Sequence, residues 1–244
     1  MFPIGDDDSK LKIRPYVNYL FLALNIFVFA YFQGFGSNDN FTYSYATVPA
    51  EIYTGKDIVT EAKTITDPYT GQEFTIPGLG VTMIPVWLTL LTAMFMHGSI
   101  SHLAGNMLYL WVFGDNLENH MGHRRYLLFY LSCGVIASLA HVFTTLFSPQ
   151  NALVPSLGAS GAISGIMGAY IILFPHNRVT LLIFPFTIHV RALFALGTWI
   201  AFQVINGIGI FNGGESGGVA YAAHIGGFIA GMMLIRYFGL RETR

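Results

Sequence analysis

The chain has 244 residues, of which 53% are hydrophobic and 10% are charged, and its formal net charge is −1. A soluble domain carries about 25% charged residues, so this composition excludes a soluble globular fold and predicts a single-domain integral membrane protein. The single cysteine, Cys133, excludes an internal disulfide and a cysteine-based metal site. The balanced charge, with no basic cluster, gives no indication of nucleic-acid binding.

Six apolar runs are candidates for membrane-spanning helices, which need roughly 20 residues each. The predicted spans cover residues 16–33, residues 101–119, the two halves of 126–177, residues 192–210 and residues 218–238. The breaker "SPQNALVPS" at 148–156 separates the third span from the fourth. Ahead of the second span, residues 79–98 are predicted to dip into the membrane from the exterior side.

The positive charges favour one orientation of these spans. If the count is six, nearly all of them lie on one side of the membrane, which the positive-inside rule assigns to the cytoplasm. They are Lys10, Lys12, Arg14, Arg124, Arg125, Arg178, Arg191, Arg236, Arg241 and Arg244. Residues 1–15 and 239–244 are then cytoplasmic, and 16–238 form the membrane domain. We expect a multi-pass protein of a prokaryotic plasma membrane.

Residues 34–78, between the first and second spans, are predicted to form an exterior insertion. Within it, "TITDPYTGQEFTI" has two short alternating runs around an Asp-Pro and a glycine. That pattern is typical of a β-hairpin. We assign the insertion no chemistry, because a structured loop that covers the exterior face explains it.

Four polar side chains from three spans fall at similar depth near the exterior ends. His102 and Asn106 are four residues apart, so they share one face of the second span. Ser160 lies in the first turn of the fourth span, and His224 lies about two turns into the sixth. Polar groups inside a bilayer are costly and indicate a functional site.

Glycines on the fourth and sixth spans predict that these two helices touch. Their spacing suits close helix packing in membranes; they are Gly161, Gly165, Gly168, Gly227 and Gly231. Such contact would bring the His224 imidazole within hydrogen-bond reach of the Ser160 hydroxyl, and histidine is the usual base that activates a serine nucleophile. His102, Asn106 and the Ser160 N–H could then donate to the oxyanion of an acyl-transfer intermediate.

Other interpretations of these residues stay open on the sequence alone. Ser160 taken by itself fits a helix-packing residue, and Asn106 fits a hydrogen bond between helices. Asp115 and Glu118 lie at the cytoplasmic end of the second span, too far to orient His224. Glu215 is on the correct side for a catalytic triad but lies in a glycine-rich loop, so a Ser-His dyad is favoured. No spacing such as HExxH indicates a metal, and no cofactor is expected. A transporter would require intramembrane carboxylates and a repeat, and neither is visible.

Three motifs in this order resemble the rhomboid intramembrane serine proteases. "HGSISHLAGNM" has His97, His102 and Asn106 at the family's spacing, "GASG" surrounds Ser160 and "AHIGG" surrounds His224. The resemblance implies an all-α, six-helix membrane bundle and a catalytic dyad of Ser160 and His224. It also implies an oxyanion site from the first motif. A catalytically silent relative that binds transmembrane segments is expected to have lost one dyad residue.

The resemblance also implies features around the dyad. Substrates would be single-span membrane proteins, cut within or near the bilayer after lateral entry past the fifth span, with the loop 211–217 as a movable cap. His97, Gly158 and Gly161 would support the site without contacting the reacting bond. This chain has Trp87-Leu88 where many members have Trp-Arg. It has Ser164 where some members have a tyrosine that stacks on the catalytic histidine.

Overall fold

The computed structural model describes residues 2–9, 11–66, 71–211 and 220–239, and this part of the chain is mostly helical. Its α-helices are α1 (Tyr16–Phe27), α2 (Asp39–Tyr45), α3 (Pro49–Thr54), α4 (Thr89–Thr92), α5 (Ile100–Met121), α6 (His123–Thr145), α7 (Ser160–Leu173), α8 (Ala192–Phe211) and α9 (Tyr221–Phe238). Its strands are β1 (Phe2–Gly5), β2 (Lys63–Thr66), β3 (Glu73–Ile76), β4 (Arg178–Ile183) and β5 (Phe186–Arg191).

Every predicted span coincides with a helix, in the order α1, α5, α6, α7, α8 and α9. A π-helical turn, Val28–Phe32, continues α1 to the predicted end of the first span. Short helical turns run from Val86 to Phe95 and are bent by 80° from α5. They lie within residues 79–98, whose dip into the membrane stays a prediction. Residues 212–219, which include Glu215 and most of the predicted cap, lie outside the described residues.

Two described helices are long enough and apolar enough to cross a membrane, His123–Thr145 and Ala192–Gly209. A third is added if the bent pair Val86–Phe95 and Ile100–Met121 counts as one span. Two more segments, Tyr16–Phe32 and Ser160–Leu173, are apolar but shorter. The count of six spans and their orientation therefore stay predictions.

A three-stranded sheet makes the all-α prediction incomplete. The strands lie in the order β1-β4-β5, with both pairs antiparallel. β4 and β5 form a hairpin in which Ile183 is opposite Phe186, within the stretch predicted as a cytoplasmic loop. β1 pairs its Phe2 with Leu182, so the N-terminal residues form an edge strand. The sequence pattern did not indicate this pairing, because the partners are far apart in the chain.

Two carboxyl groups, one buried and one partly buried, attach the N-terminal segment to the helices. The Glu118 carboxylate on α5 accepts hydrogen bonds from the backbone N–H of Val17 (2.9 Å) and Asn18 (2.7 Å), the first-turn donors of α1 that lack a partner within the helix. Asp6 accepts from the Tyr170 hydroxyl of α7 at 2.5 Å. Burial raises the pKa of Asp6 from 3.8 to about 8, so this side chain is largely protonated at neutral pH.

The segment between α1 and α5 contacts the loop that leads into α7. The hairpin predicted within this segment is confirmed, since β2 pairs antiparallel with β3. Thr47 and Ser156 exchange two backbone hydrogen bonds (2.9 and 2.8 Å), and the N–H of Ala50 donates to the carbonyl of Ala152 at 2.9 Å. The segment therefore holds in place the residues immediately before Ser160.

Candidate active site

Glycines allow α7 and α9 to touch backbone to backbone, as the sequence predicts. A Cβ added at Gly227 would lie 2.1 Å from the carbonyl oxygen of Gly161, and one at Gly231 would lie 1.9 Å from that of Gly165. A Cβ at Gly168 would meet the carbonyl oxygen of Phe228 at 2.0 Å. No side chain fits at these positions unless the helices move apart.

This close contact joins the serine and the histidine. Ser160 is the first residue of α7, and its Oγ lies 2.9 Å from Nε2 of His224 on α9. Gly161 follows the serine, and Gly227 lies one turn after the histidine. The helix contact that contains both glycines therefore sets the distance between the two reactive groups.

Gly227→Ala should lower both stability and any activity of the dyad. Forcing α7 and α9 apart costs about 1–3 kcal/mol, the usual penalty for overpacking, and lengthens the Ser160–His224 hydrogen bond. The measurements are thermal unfolding in detergent and the rate of covalent labelling of Ser160. The matched control is Gly197→Ala in α8, where a Cβ meets nothing within 4 Å. This control should be neutral or gain about 0.5–1 kcal/mol, and equal behaviour of the two variants would contradict the prediction.

The histidine has a second partner, Gln203, that was not predicted from the sequence. Nδ1 of His224 lies 2.8 Å from Oε1 of Gln203 on α8, and the ring centroid of Trp199 lies 5.8 Å from that of the imidazole. Ser164, which stands where some family members have a tyrosine that stacks on the histidine, donates its hydroxyl to the carbonyl of Ser160 at 2.6 Å. The sequence offers one hint, since Gln203 is an amide in an apolar helix and lies four residues after Trp199. The spacing does not indicate which residue the amide contacts.

His102 lies against the loop that precedes the serine. It follows the N-cap of α5, where the Ser99 hydroxyl accepts from the His102 N–H at 3.1 Å. Gly158 has φ +128°, a backbone conformation that favours glycine, and a Cβ there would lie 3.1 Å from Nε2 of His102. Nδ1 of His102 faces the Gly98 N–H at 3.5 Å, an arrangement in which Nδ1 accepts and Nε2 carries the ring proton.

Asn106 and His97 are both buried. The Nδ2 group of Asn106 has no hydrogen-bond partner among the described residues. An unmet buried donor costs about 1–3 kcal/mol, so it needs an explanation. Both ring nitrogens of His97 also lack partners there, while Gln33 holds its backbone by two hydrogen bonds of 2.9 Å. The His97 ring packs edge-on against His102, with centroids 5.1 Å apart.

One cavity of about 780 Å³ contains the predicted catalytic and oxyanion residues. Its lining includes Ser160, His224, His102, Asn106 and Gln203. A serine paired with a histidine, beside amide and imidazole donors, is the set of groups that acyl transfer requires. The structure thus brings the four predicted polar residues together, and their roles remain to be tested.

The carboxylates that could hold a metal ion lie elsewhere. Among the described residues, one such group is formed by Asp6, Asp8 and Asp115. Asp6 binds Tyr170, which is ten residues beyond Ser160 on α7 and so roughly 15 Å away along the helix. The dyad and this cluster are therefore separate features.

Comparisons with known proteins show the family to which this chain belongs. The family profile of the Rhomboid domain matches residues 85–241, so the chain belongs to the Rhomboid family, a family of membrane proteins. The chain is 35% identical to the rhomboid protease GluP of Bacillus subtilis over 157 residues, which are 64% of this chain and 27% of that protein. It is 32% identical to the mitochondrial rhomboid protein 1 of Saccharomyces cerevisiae over 149 residues, which are 60% and 40% of the two chains.

A third relative is the mitochondrial presenilin-associated rhomboid-like protein of Homo sapiens, 31% identical over 150 residues, which are 61% of this chain and 37% of that one. The matches thus cover less than half the length of each of these three relatives. Because they include mitochondrial and bacterial proteins, they do not support the predicted prokaryotic plasma membrane.

Proposed function

We propose that this protein is an intramembrane serine endopeptidase that uses Ser160 as nucleophile and His224 as general base. The observation that carries the proposal is the 2.9 Å contact between Ser160 Oγ and His224 Nε2 in a cavity that also contains Asn106. Family membership supports it, since rhomboid proteins are generally intramembrane serine proteases.

In the proposed reaction, Ser160 Oγ attacks the carbonyl carbon of the scissile peptide and passes its proton to Nε2 of His224. The carbonyl oxygen becomes an oxyanion, which accepts hydrogen bonds from Asn106 Nδ2, His102 Nε2–H and the Ser160 N–H. The first N–H groups of a helix lack intrahelical partners, so the N–H of Ser160 is free for this role. The C–N bond then breaks, the imidazolium protonates the leaving amine, and water hydrolyses the acyl-enzyme.

The proposed setting is a six-span bundle with both termini in the cytoplasm and the cavity open to the exterior side. The substrates are single-span membrane proteins, whose transmembrane segments enter laterally past α8. Two features support this arrangement. Positive charges cluster on one predicted side of the spans, and α8 exposes large apolar side chains such as Phe194 (61%) and Ile205 (68%). The segment 34–78 then lies on the exterior face.

The experiment uses the full chain reconstituted in liposomes with a model single-span substrate and, separately, a fluorophosphonate probe. We expect cleavage of the substrate and covalent labelling of Ser160, identified by mass spectrometry of the labelled peptide. Binding of the substrate with neither cleavage nor labelling would contradict the proposal. That result would instead favour a silent relative that binds transmembrane segments.

A further inference from the structure

Gln203 is a buried polar residue on a helix that otherwise presents a largely apolar surface. Its side chain is 6% exposed, whereas the neighbouring Phe202 is 59% exposed. An amide buried among apolar groups is costly unless it is hydrogen-bonded, and polar residues within membrane helices mark functional positions. Its partner here is the imidazole of His224, at 2.8 Å.

The atoms that meet determine where the histidine carries its proton. Oε1 of Gln203 has lone pairs and no hydrogen, so in this pairing the Nδ1 atom that faces it is the N–H of the neutral imidazole. A neutral imidazole carries one N–H, which leaves the lone pair on Nε2, the atom 2.9 Å from Ser160 Oγ. This tautomer is the one that accepts the serine proton. The opposite tautomer would present an N–H to the serine and could not act as the base.

We propose that Gln203 is a positioning residue that holds His224 in the tautomer and orientation needed to take the proton from Ser160. The inference rests on the dyad proposed above. An amide oxygen can accept the hydrogen bond from Nδ1 without placing a charged group in the site. A carboxylate in the same place would carry a large desolvation penalty. A neutral partner therefore suits a site enclosed by apolar helices.

The position of α8 then becomes part of the catalytic arrangement. Trp199 and Gln203 are four residues apart, so they lie on the same face of α8, and both contact His224. An outward displacement of α8 would withdraw both contacts together.

The test compares Gln203→Leu, which keeps the approximate size but removes the acceptor, with Gln203→Glu, which keeps an acceptor. The matched control is Asn206→Leu, an amide on α8 whose Nδ2 donates to the Phe202 carbonyl at 2.7 Å, away from His224. We expect Gln203→Leu to lower kcat about 10- to 100-fold with little change in KM, less than the roughly 10²- to 10⁴-fold contribution of general acid–base catalysis, because His224 itself is retained. Asn206→Leu should leave kcat unchanged.

Gln203→Glu provides a readout that a purely structural role would not change. Its carboxylate should preserve most of the activity and stabilise the imidazolium, which moves the acidic limb of the pH–rate profile to higher pH. The other titratable groups among the described residues that line the cavity with His224 are His102, His141, Tyr109 and Tyr221. These groups are the same in wild type and in Gln203→Glu, so a difference between the pH–rate profiles of these two proteins reports on residue 203.

Two outcomes separate this inference from the proposed function. If wild type is labelled by the fluorophosphonate and Gln203→Leu is labelled at the same rate, the dyad stands and the positioning role is overturned. An unlabelled wild type overturns both. Thermal unfolding of each variant is measured in parallel. A loss of kcat in Gln203→Leu that Gln203→Glu does not restore, and that follows its loss of stability, would assign Gln203 to helix packing alone.

Discussion

Ser160→Ala, His224→Ala and the double variant should all reduce peptide cleavage to the same residual level, about 10⁴-fold or more below wild type. The two residues act as one unit, since a serine hydroxyl is a weak nucleophile until a base takes its proton. Once either member is removed, the other has little left to contribute. The measurement is single-turnover cleavage in liposomes, together with fluorophosphonate labelling of each variant.

The matched control for this series is Ser164→Ala, one turn further along α7. Its hydroxyl donates to the Ser160 carbonyl and has no contact with the histidine, so this variant should retain most of its activity. If the effects of Ser160→Ala and His224→Ala multiply in the double variant, the two residues act independently and the dyad is wrong. Retained labelling in His224→Ala would contradict the assignment of the base.

The helices and the contact at the dyad were predictable because local rules determine them. A spacing of four places His102 and Asn106 on one helix face, and closely spaced glycines such as Gly227 and Gly231 indicate a close helix contact. Once the order of the spans is known, the depth of each polar residue follows from counting along its helix. The meeting of Ser160 and His224 is then the consequence of a few short-range patterns.

The rotation of α8 was not predictable in the same way. Its exposed residues include Phe194, Phe202 and Ile205, and the side that faces the protein is also largely apolar. A helix that is apolar all round carries no stripe that indicates which side is buried. The contact of Gln203 with His224 depends on that rotation, and only the packing of α8 against α9 determines it.

Contacts between distant parts of the chain were the other features that the sequence pattern could not reveal. β1 and β4 pair across more than 170 residues, and Thr47 pairs with Ser156 across more than 100. Each segment is short and has no property that selects its partner. These contacts nevertheless matter for the site, because the second of them holds the loop that ends at Ser160.

Asn106 is expected to oppose stability and support catalysis at the same time. Its buried Nδ2 has no partner among the described residues, although it lines the cavity with Ser160. Such a donor is costly in the resting protein and useful only when an oxyanion forms beside it. Asn106→Leu should therefore leave the unfolding free energy unchanged or raise it, while kcat falls about 10²- to 10³-fold, the usual cost of losing one oxyanion donor.

Two further variants make this prediction specific. Asn106→Asp keeps the size of the side chain, but replaces the donor by an acceptor that repels the oxyanion, so its kcat should fall further than that of Asn106→Leu. Asn25→Leu is the control, because Asn25 is a buried amide on α1 whose Nδ2 already donates to the Phe21 carbonyl at 2.7 Å. It should change stability without lowering kcat. A loss of stability in Asn106→Leu with an unchanged kcat would contradict the prediction. Asn106 would then have a structural role between helices, and only His102 and the Ser160 N–H would donate to the oxyanion.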